Sequence, residues 1–415
     1  MRIHNETLVF DLSGKVGHAN ANLTLDFQRT LRLPDNDETH RLPPGLGAFP
    51  LREVDRYKDR VPPEWNKHGG IFLPMYQAEA LYIAFKAGYA GDRRAHYPFA
   101  IKVAAGMRSA VTGEEWSAGL REKDYMVAPK QPWIDGFCVE KGKIRQFVAA
   151  PLGQGWTVES QLSGKESFGG LQIEVFPMKR EVYEARFPVM AQTFRGFTRS
   201  RKGGGTGQSF EGGITTISES SGGMTVNYSA FESSTVPIGC AWGENVTKGA
   251  IALSDYTLDT RLNCDMERGT EETSAFMLAS LNVDMGMAAG GQMTQAIEED
   301  EFGLDVWDTE NSERVYVHLC NSLGYQIVTG EKPPYTPTPA SVYGKYGVRW
   351  FEHYQENSKA LEGSVLLANL QTLTELGFQK GWHLITDNQR LSPGASAPVA
   401  TKPEGIRDGS WLSLA

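Results

Sequence analysis

The run Leu171-Gln172-Ile173-Glu174-Val175-Phe176 alternates apolar and polar side chains before Pro177 ends it. Neighbouring side chains of a strand point to opposite faces of a sheet, so this period of two suits a half-buried strand. The same period recurs in residues 20–33. There Leu23, Leu25 and Phe27 point one way, and Leu31 and Leu33 continue after a phase shift, as one or two strands with a bulge. Residues 99–105 read as a further strand. Residues 133–140 and 143–149 read as a hairpin around Lys141-Gly142, where Gly supplies the unusual turn dihedral. Strands resume at 224–228 and 250–253. Glycine, at 45 of 415 residues, exceeds its usual share of roughly 7%, which favours strands and turns over helices.

Two segments carry the helical period instead. In 75–87, Ala78, Leu81, Tyr82 and Phe85 fall on one helical face, with Pro74 ahead and Gly88 where a left-handed cap would sit. In 358–376, Leu361, Val365 and Ala368 form a stripe beside Leu366, Leu370 and Leu373, with Gly377 as the cap. Gly363 inside that helix costs about 1 kcal/mol relative to Ala, so a close backbone neighbour is expected there. Residues 312–325 fit a strand by their β-branched residues and a helix by Tyr316, Leu319, Cys320 and Leu323. The Gly/Ser/Thr-rich stretch 198–223 marks a boundary or loop, and 332–339 is an extended, proline-rich connector.

These readings give an α+β, strand-dominated, glycine-rich chain with β-sandwich-like regions and a helical C-terminal segment. The expected division is a β-rich α+β domain over 1–180, a second glycine-rich β region over 181–300, a helical segment over 301–390 and a loose tail over 391–415.

Charge and composition narrow the partners. The net charge of −9 is mild over this length, and the densest basic stretch, 195–202, is too short for the footprint of a nucleic-acid binder. No run reaches the roughly 18 to 20 apolar residues that cross a bilayer, and the first residues lack a signal peptide's pattern. The cytoplasm is the expected compartment. Cys138, Cys240, Cys264 and Cys320 are far apart, without the C-x-x-C spacing of zinc ribbons or redox motifs. Neither a metal nor a cofactor is expected. The Walker loop, the G-x-G-x-x-G fingerprint, H-E-x-x-H and G-x-S-x-G are all missing. Asp35-Asn36-Asp37 begins like a calcium loop, but His40 stands where that loop requires Gly and Leu46 where it requires Glu.

What remains is a short set of candidates. In Gln131-Pro132-Trp133-Ile134-Asp135-Gly136, Trp133 and Asp135 share one strand face, with Arg145 on the next strand and Trp156 after a Gly-Gln-Gly turn. A Trp beside a carboxylate can stack on a sugar or aromatic ring while the carboxylate accepts hydrogen bonds; a buried Trp with a structural Asp135–Arg145 pair is the plainer alternative. Asp305 and Asp308 around Trp307, together with His318, are the candidate acid-base groups for a hydrolase of glycans or esters.

Several stretches resemble a family of uncharacterised actinobacterial proteins, some labelled integral membrane proteins. They are Arg29-Thr30-Leu31-Arg32-Leu33-Pro34, Leu42-Pro43-Pro44-Gly45-Leu46-Gly47, Gln131 to Gly136, Gly169 to Val175, Met285 to Gly291 and Gly303 to Asp308. The resemblance implies no activity and no catalytic residue, and the membrane label conflicts with the hydropathy of this chain. The leading expectation is a non-catalytic binding or self-assembly protein whose partner is a second copy of itself, a small molecule or a glycan. The alternatives are the hydrolase and a membrane-active, toxin-like protein.

Overall fold

A computed structural model of the 415-residue chain describes residues 1–36, 38–43, 45–190, 284–335, 360–380 and 405–409. The chain divides into two units, Met1–Val189 with Thr260–Ala415, and Met190–Asp259. Save for Met190, the second unit lies outside the described residues, as do Arg201 to Gly207, the strands expected at 224–228 and 250–253, Cys240, Cys264 and Trp350 to Tyr354.

The first unit is α+β and strand-dominated, as its alternation requires. Its strands are β1 (Arg2–His4), β2 (Thr7–Asp11), β3 (Asn22–Leu31), β4 (Gly45–Ala48), β5 (Arg52–Glu53), β6 (Ile71–Pro74), β7 (Glu79–Ala87), β8 (Tyr89–Ala90) and β9 (Ala95–His96). There follow β10 (Phe99–Ala105), β11 (Arg108–Ser109), β12 (Met126–Ala128), β13 (Trp133–Ile134), β14 (Gly136–Glu140), β15 (Lys143–Pro151), β16 (Leu171–Pro177), β17 (Asp284–Thr294) and β18 (Glu313–Cys320). Short helices accompany them: α1 (Ser13–Val16), α2 (Pro63–His68), α3 (Val158–Ser163), α4 (Arg180–Arg186), α5 (Ser322–Thr329), α6 (Val365–Ala368) and α7 (Leu373–Lys380). Sixteen strands join one sheet whose path runs β1-β2-β3-β7-β15-β17-β18-β16-β10-β11. Each pairing is antiparallel except β6 on β18. The boundary expected near 300 therefore falls within a sheet, because β17 and β18 lie between strands drawn from 1–180.

Period two sorts the side chains. Leu23, Leu25 and Phe27 of β3, Leu81 and Ile83 of β7, Leu171, Ile173 and Val175 of β16, and Val315 and Val317 of β18 bury on one face, in the main apolar core. The opposite face is mixed: Asp26, Gln28, Tyr82, Lys102, Glu174, Arg314, Tyr316 and His318 occupy its positions. No phase shift interrupts β3 against β7, which pair without a break from Leu23↔Ala87 to Leu31↔Glu79. Arg29 simply takes a core-facing position and is neutralised there by Glu79, Nε to Oε2 at 2.6 Å. The expected bulge exists in the other pairing of β3, against β4.

Residues 75–87 are not a helix. Leu81, Ile83, Phe85 and Ala87 form the buried parity of β7, and the long complementary strand β3 decides between two periods that this short run satisfies equally. Gly88 caps nothing: a Cβ there would lie 2.4 Å from the Asn20 carbonyl oxygen. Residues 358–376 are likewise not one helix. Leu361 N–H donates to the Ile297 carbonyl, Ala360 bridges Glu298, and only then do α6 and α7 form, with Gly377 inside α7. Gly363 does have the close backbone neighbour: a Cβ would lie 2.2 Å from Glu140 Cα. The ambiguous 312–325 run is both, β18 and then α5, divided at Asn321, whose side chain caps the helix by accepting from Gly324 N–H at 2.7 Å.

The part of the C-terminal tail within the described residues is not loose. Ile406 is 8% exposed and joins the main core, and Arg407 pairs with Asp55. Among the described residues, no helix is long and apolar enough to cross a membrane.

Candidate functional site

Trp133 and Asp135 lie on the mixed face where the sequence put them. β13 pairs with β7, setting Trp133 opposite Ala84 and Ile134 opposite Ile83. Because β3 sets Asp26 opposite the same Ala84, a single row crosses the face as Asp26, Ala84, Trp133. The neighbouring row sets Gln28 beside Tyr82, and Lys86 lies on the other side, 3.9 Å from Asp26 through its Nζ. Gln28 Nε2 donates to Asp26 Oδ1 at 2.7 Å. Trp133, Tyr82, Ala84, Asp26 and Gln28 are half-buried and Lys86 is exposed, whereas the alternating partners beneath are buried.

The same face closes at its other end. Ala80, Val148, Ala150 and Ala288 continue it, and there Trp156, Leu373 and Leu376 cover it as a small apolar cluster. Trp156 is thus a core residue, 3% exposed, its indole N–H donating to Gln154 Oε1 at 3.1 Å. It does not join Trp133. Arg145 is half-buried on β15, opposite Phe137 and Gln292, and Asp135 is tied to other partners.

Those partners define what Asp135 can do. The strand bends between β13 and β14, and Asp135 at the bend is 3% exposed. Its backbone N–H donates to Gln295 Oε1, and its carboxylate accepts from Gln295 Nε2 at 2.6 Å. Burial pushes its carboxyl up to about 7 against the opposing pull of the Gln295 and Trp133 side chains. Tyr82 feels the same surroundings: burial first, then the charges of Asp135 and Asp26, raise its phenol. Asp135 is a buried group beside Trp133, tied to Gln295.

The hydrolase candidates are dispersed. His318 is 2% exposed, stacked on Trp65 with ring centroids 4.8 Å apart, edge-on to Phe168, and in contact with the Gly69 carbonyl through Nε2 at 2.9 Å. Burial pushes its imidazole down to about 3, so it is a neutral core group at ordinary pH. Asp305 is exposed in a 3-10 turn over Leu304–Val306. Asp308 closes the next turn, accepting from the backbone N–H groups of Glu310 and Asn311 at 3.1 Å and from Asn311 Nδ2 at 2.7 Å. Among the described residues, no group of three or more His, Cys, Asp or Glu side chains is disposed to hold a metal ion.

Asp26, Gln28, Tyr82, Lys86 and Gln295 were missed from sequence. The signal for the first two was the alternation of 20–33. Tyr82 and Lys86 were hidden by the helical reading of 75–87, and Gln295 comes from a distant strand end. Comparison with family models, with curated proteins and with solved structures finds no match.

Proposed function

We propose that this chain is a non-catalytic binding protein that seats a flat ring, of a sugar or an aromatic compound, on the platform around Trp133. One observation carries the reading: a half-buried indole, beside the buried Asp135 carboxyl, stands on the mixed face of the sheet across Ala84 from Asp26. Aromatic side chains supply apolar stacking area at a fixed orientation, and the neighbouring Asp26, Gln28 and Lys86 offer acceptors and donors to ring substituents. A carboxylate sealed beneath the indole spends its hydrogen bonds on positioning, which suits recognition better than proton transfer to a ligand.

The test is a glycan microarray and a panel of insoluble polysaccharides probed with the full chain and with Trp133→Ala. The expected result is selective retention by at least one carbohydrate class, lost in Trp133→Ala while the thermal unfolding midpoint stays close to that of the parent. Retention unchanged by the substitution rejects the platform.

A further inference from the structure

The second feature of the mixed face is a peptide already lying on it. β18 is paired along Glu313 to Val317 by β16 on one side. On its other side β6 reaches only Val317 to Cys320, while β17 pairs with Leu319 and Cys320 beyond the end of β16. The edge of β18 around Arg314 is left to another partner, and strand edges with unspent N–H groups accept added chain.

Residues 405–409, Gly-Ile-Arg-Asp-Gly, fill that place, and each of the last four is read separately. Ile406 enters the main core. Arg407 donates from Nε to Asp55 Oδ2 at 2.8 Å and from Nη2 to the Asn66 carbonyl at 2.6 Å. Its guanidinium lies over Gly69, where a Cβ would come within 2.7 Å of Arg407 Nε. Asp408 Oδ1 accepts the backbone N–H of Arg314 at 2.9 Å. The Gly409 carbonyl accepts from Arg314 Nε at 3.0 Å and also from Nη2. Gly409 itself lies flat on Tyr316, with room for no side chain, since a Cβ would meet the ring at 2.5 Å.

The receiving side is built of stacked cations and rings. The Arg314 guanidinium is set over the rings of Tyr316 and Trp116, at 5.3 and 5.8 Å, and Lys102 lies over Trp116 at 4.8 Å. Lys102, Glu174 and Arg314 stand in one row across β10, β16 and β18. Stacking fixes a guanidinium for a carbonyl or carboxylate acceptor at little further entropic cost.

We propose that this stretch of β18, with Asp55 and Gly69, is a recognition groove for an extended Ile-Arg-Asp-Gly peptide, and that segment 405–409 is an exchangeable occupant which a second copy of the chain can donate. The contact is short and largely polar.

The probe is a fluorescent peptide with the sequence of residues 405–409, read by anisotropy against the full chain. In wild type the resident segment competes, so the apparent affinity falls by the fraction of grooves left open. The full-length double variant Arg407→Ala/Asp408→Ala should bind the peptide about tenfold more tightly than wild type. Adding Asp55→Ala should abolish that binding, as should Arg→Ala in the peptide. Equal binding by wild type and the double variant, or binding by neither, overturns the proposal. Should the double variant fail to fold, hydrogen exchange on wild type decides. Excess peptide should speed exchange in 405–409 while β18 stays protected, and unchanged exchange in 405–409 overturns the groove.

Discussion

Asp135 and Gln295 exchange two hydrogen bonds across 160 residues of chain, backbone N–H to Oε1 at 3.0 Å and Nε2 to Oδ2 at 2.6 Å. The pair joins the bend between β13 and β14 to the chain just past β17. It also fixes the carboxyl that lies beside Trp133. Gln295→Ala leaves a buried N–H and a buried carboxylate oxygen without these partners. The expected loss is about 2–3 kcal/mol, measured by urea unfolding. Any ligand seated on Trp133 should bind more weakly as well.

The ionisation of Asp135 sets a pH dependence. Its carboxyl titrates near 7 in the folded chain against 3.8 as the reference, because burial opposes the charge. Between those values the folded state holds a proton that the unfolded state releases, so the contribution is complete below about 4 and lost as pH rises through about 7. Asp135→Asn keeps the neutral shape and removes the titration. The stability of wild type relative to this variant should therefore fall as pH rises across that window, as measured by urea midpoints at half-unit intervals. A difference that stays flat with pH would assign the carboxylate a different ionisation.

Gly136 and Gly14 make a matched contrast. A Cβ on Gly136 would lie 1.9 Å from the Arg145 carbonyl oxygen, at the end of the β14–β15 pairing, whereas one on Gly14 meets nothing within 4 Å. Gly136→Ala should cost about 3 kcal/mol or more by forcing the strands apart. Gly14→Ala, in the exposed helix α1, should gain about 0.5–1 kcal/mol. Thermal melts of the two variants test both signs.

Lys102 and Asp124 form an ion pair at 2.8 Å with side chains 1% and 6% exposed, and Lys102 also donates to the carbonyls of Ser117 and Gly119. Lys102→Met strands a buried carboxylate and should cost about 3–5 kcal/mol. The double variant Lys102→Met/Asp124→Leu should recover much of that loss, since an apolar pair of similar volume replaces two desolvated charges. Denaturant unfolding of these two variants and of the Asp124→Leu single variant closes the cycle.

Strands whose period is unambiguous were readable residue by residue. Phe99 to Ala105 and Leu171 to Phe176 fall within β10 and β16, and Gly142 turns the β14–β15 hairpin with φ of 73°. Ala78, Leu81, Tyr82 and Phe85 misled because the run Ala80 to Phe85 is apolar throughout and so supplies matches to either period, and only β3 on the neighbouring path breaks the tie. Leu361, Val365 and Ala368 misled for the same reason, since the Ile297 carbonyl takes the Leu361 N–H out of any helix. Trp133 and Asp135 were legible as a pair because i and i+2 share a strand face. Their surroundings were not: Ala84, Asp26 and Gln295 reach them through register and long-range pairing, which no local window contains.

Until the ribosome has delivered residues 284–320, β1, β2, β3, β7 and β15 end at a bare rim on β15, and β10 and β11 end at another on β16. β17 and β18 are the keystone that later drops between these rims. A fragment stopping short of residue 284 would carry two sticky margins over greasy undersides, a client for chaperones instead of a small folded protein. Closure over such sequence distances is slow by nature, so the nascent chain must be shielded while it waits for its own last third.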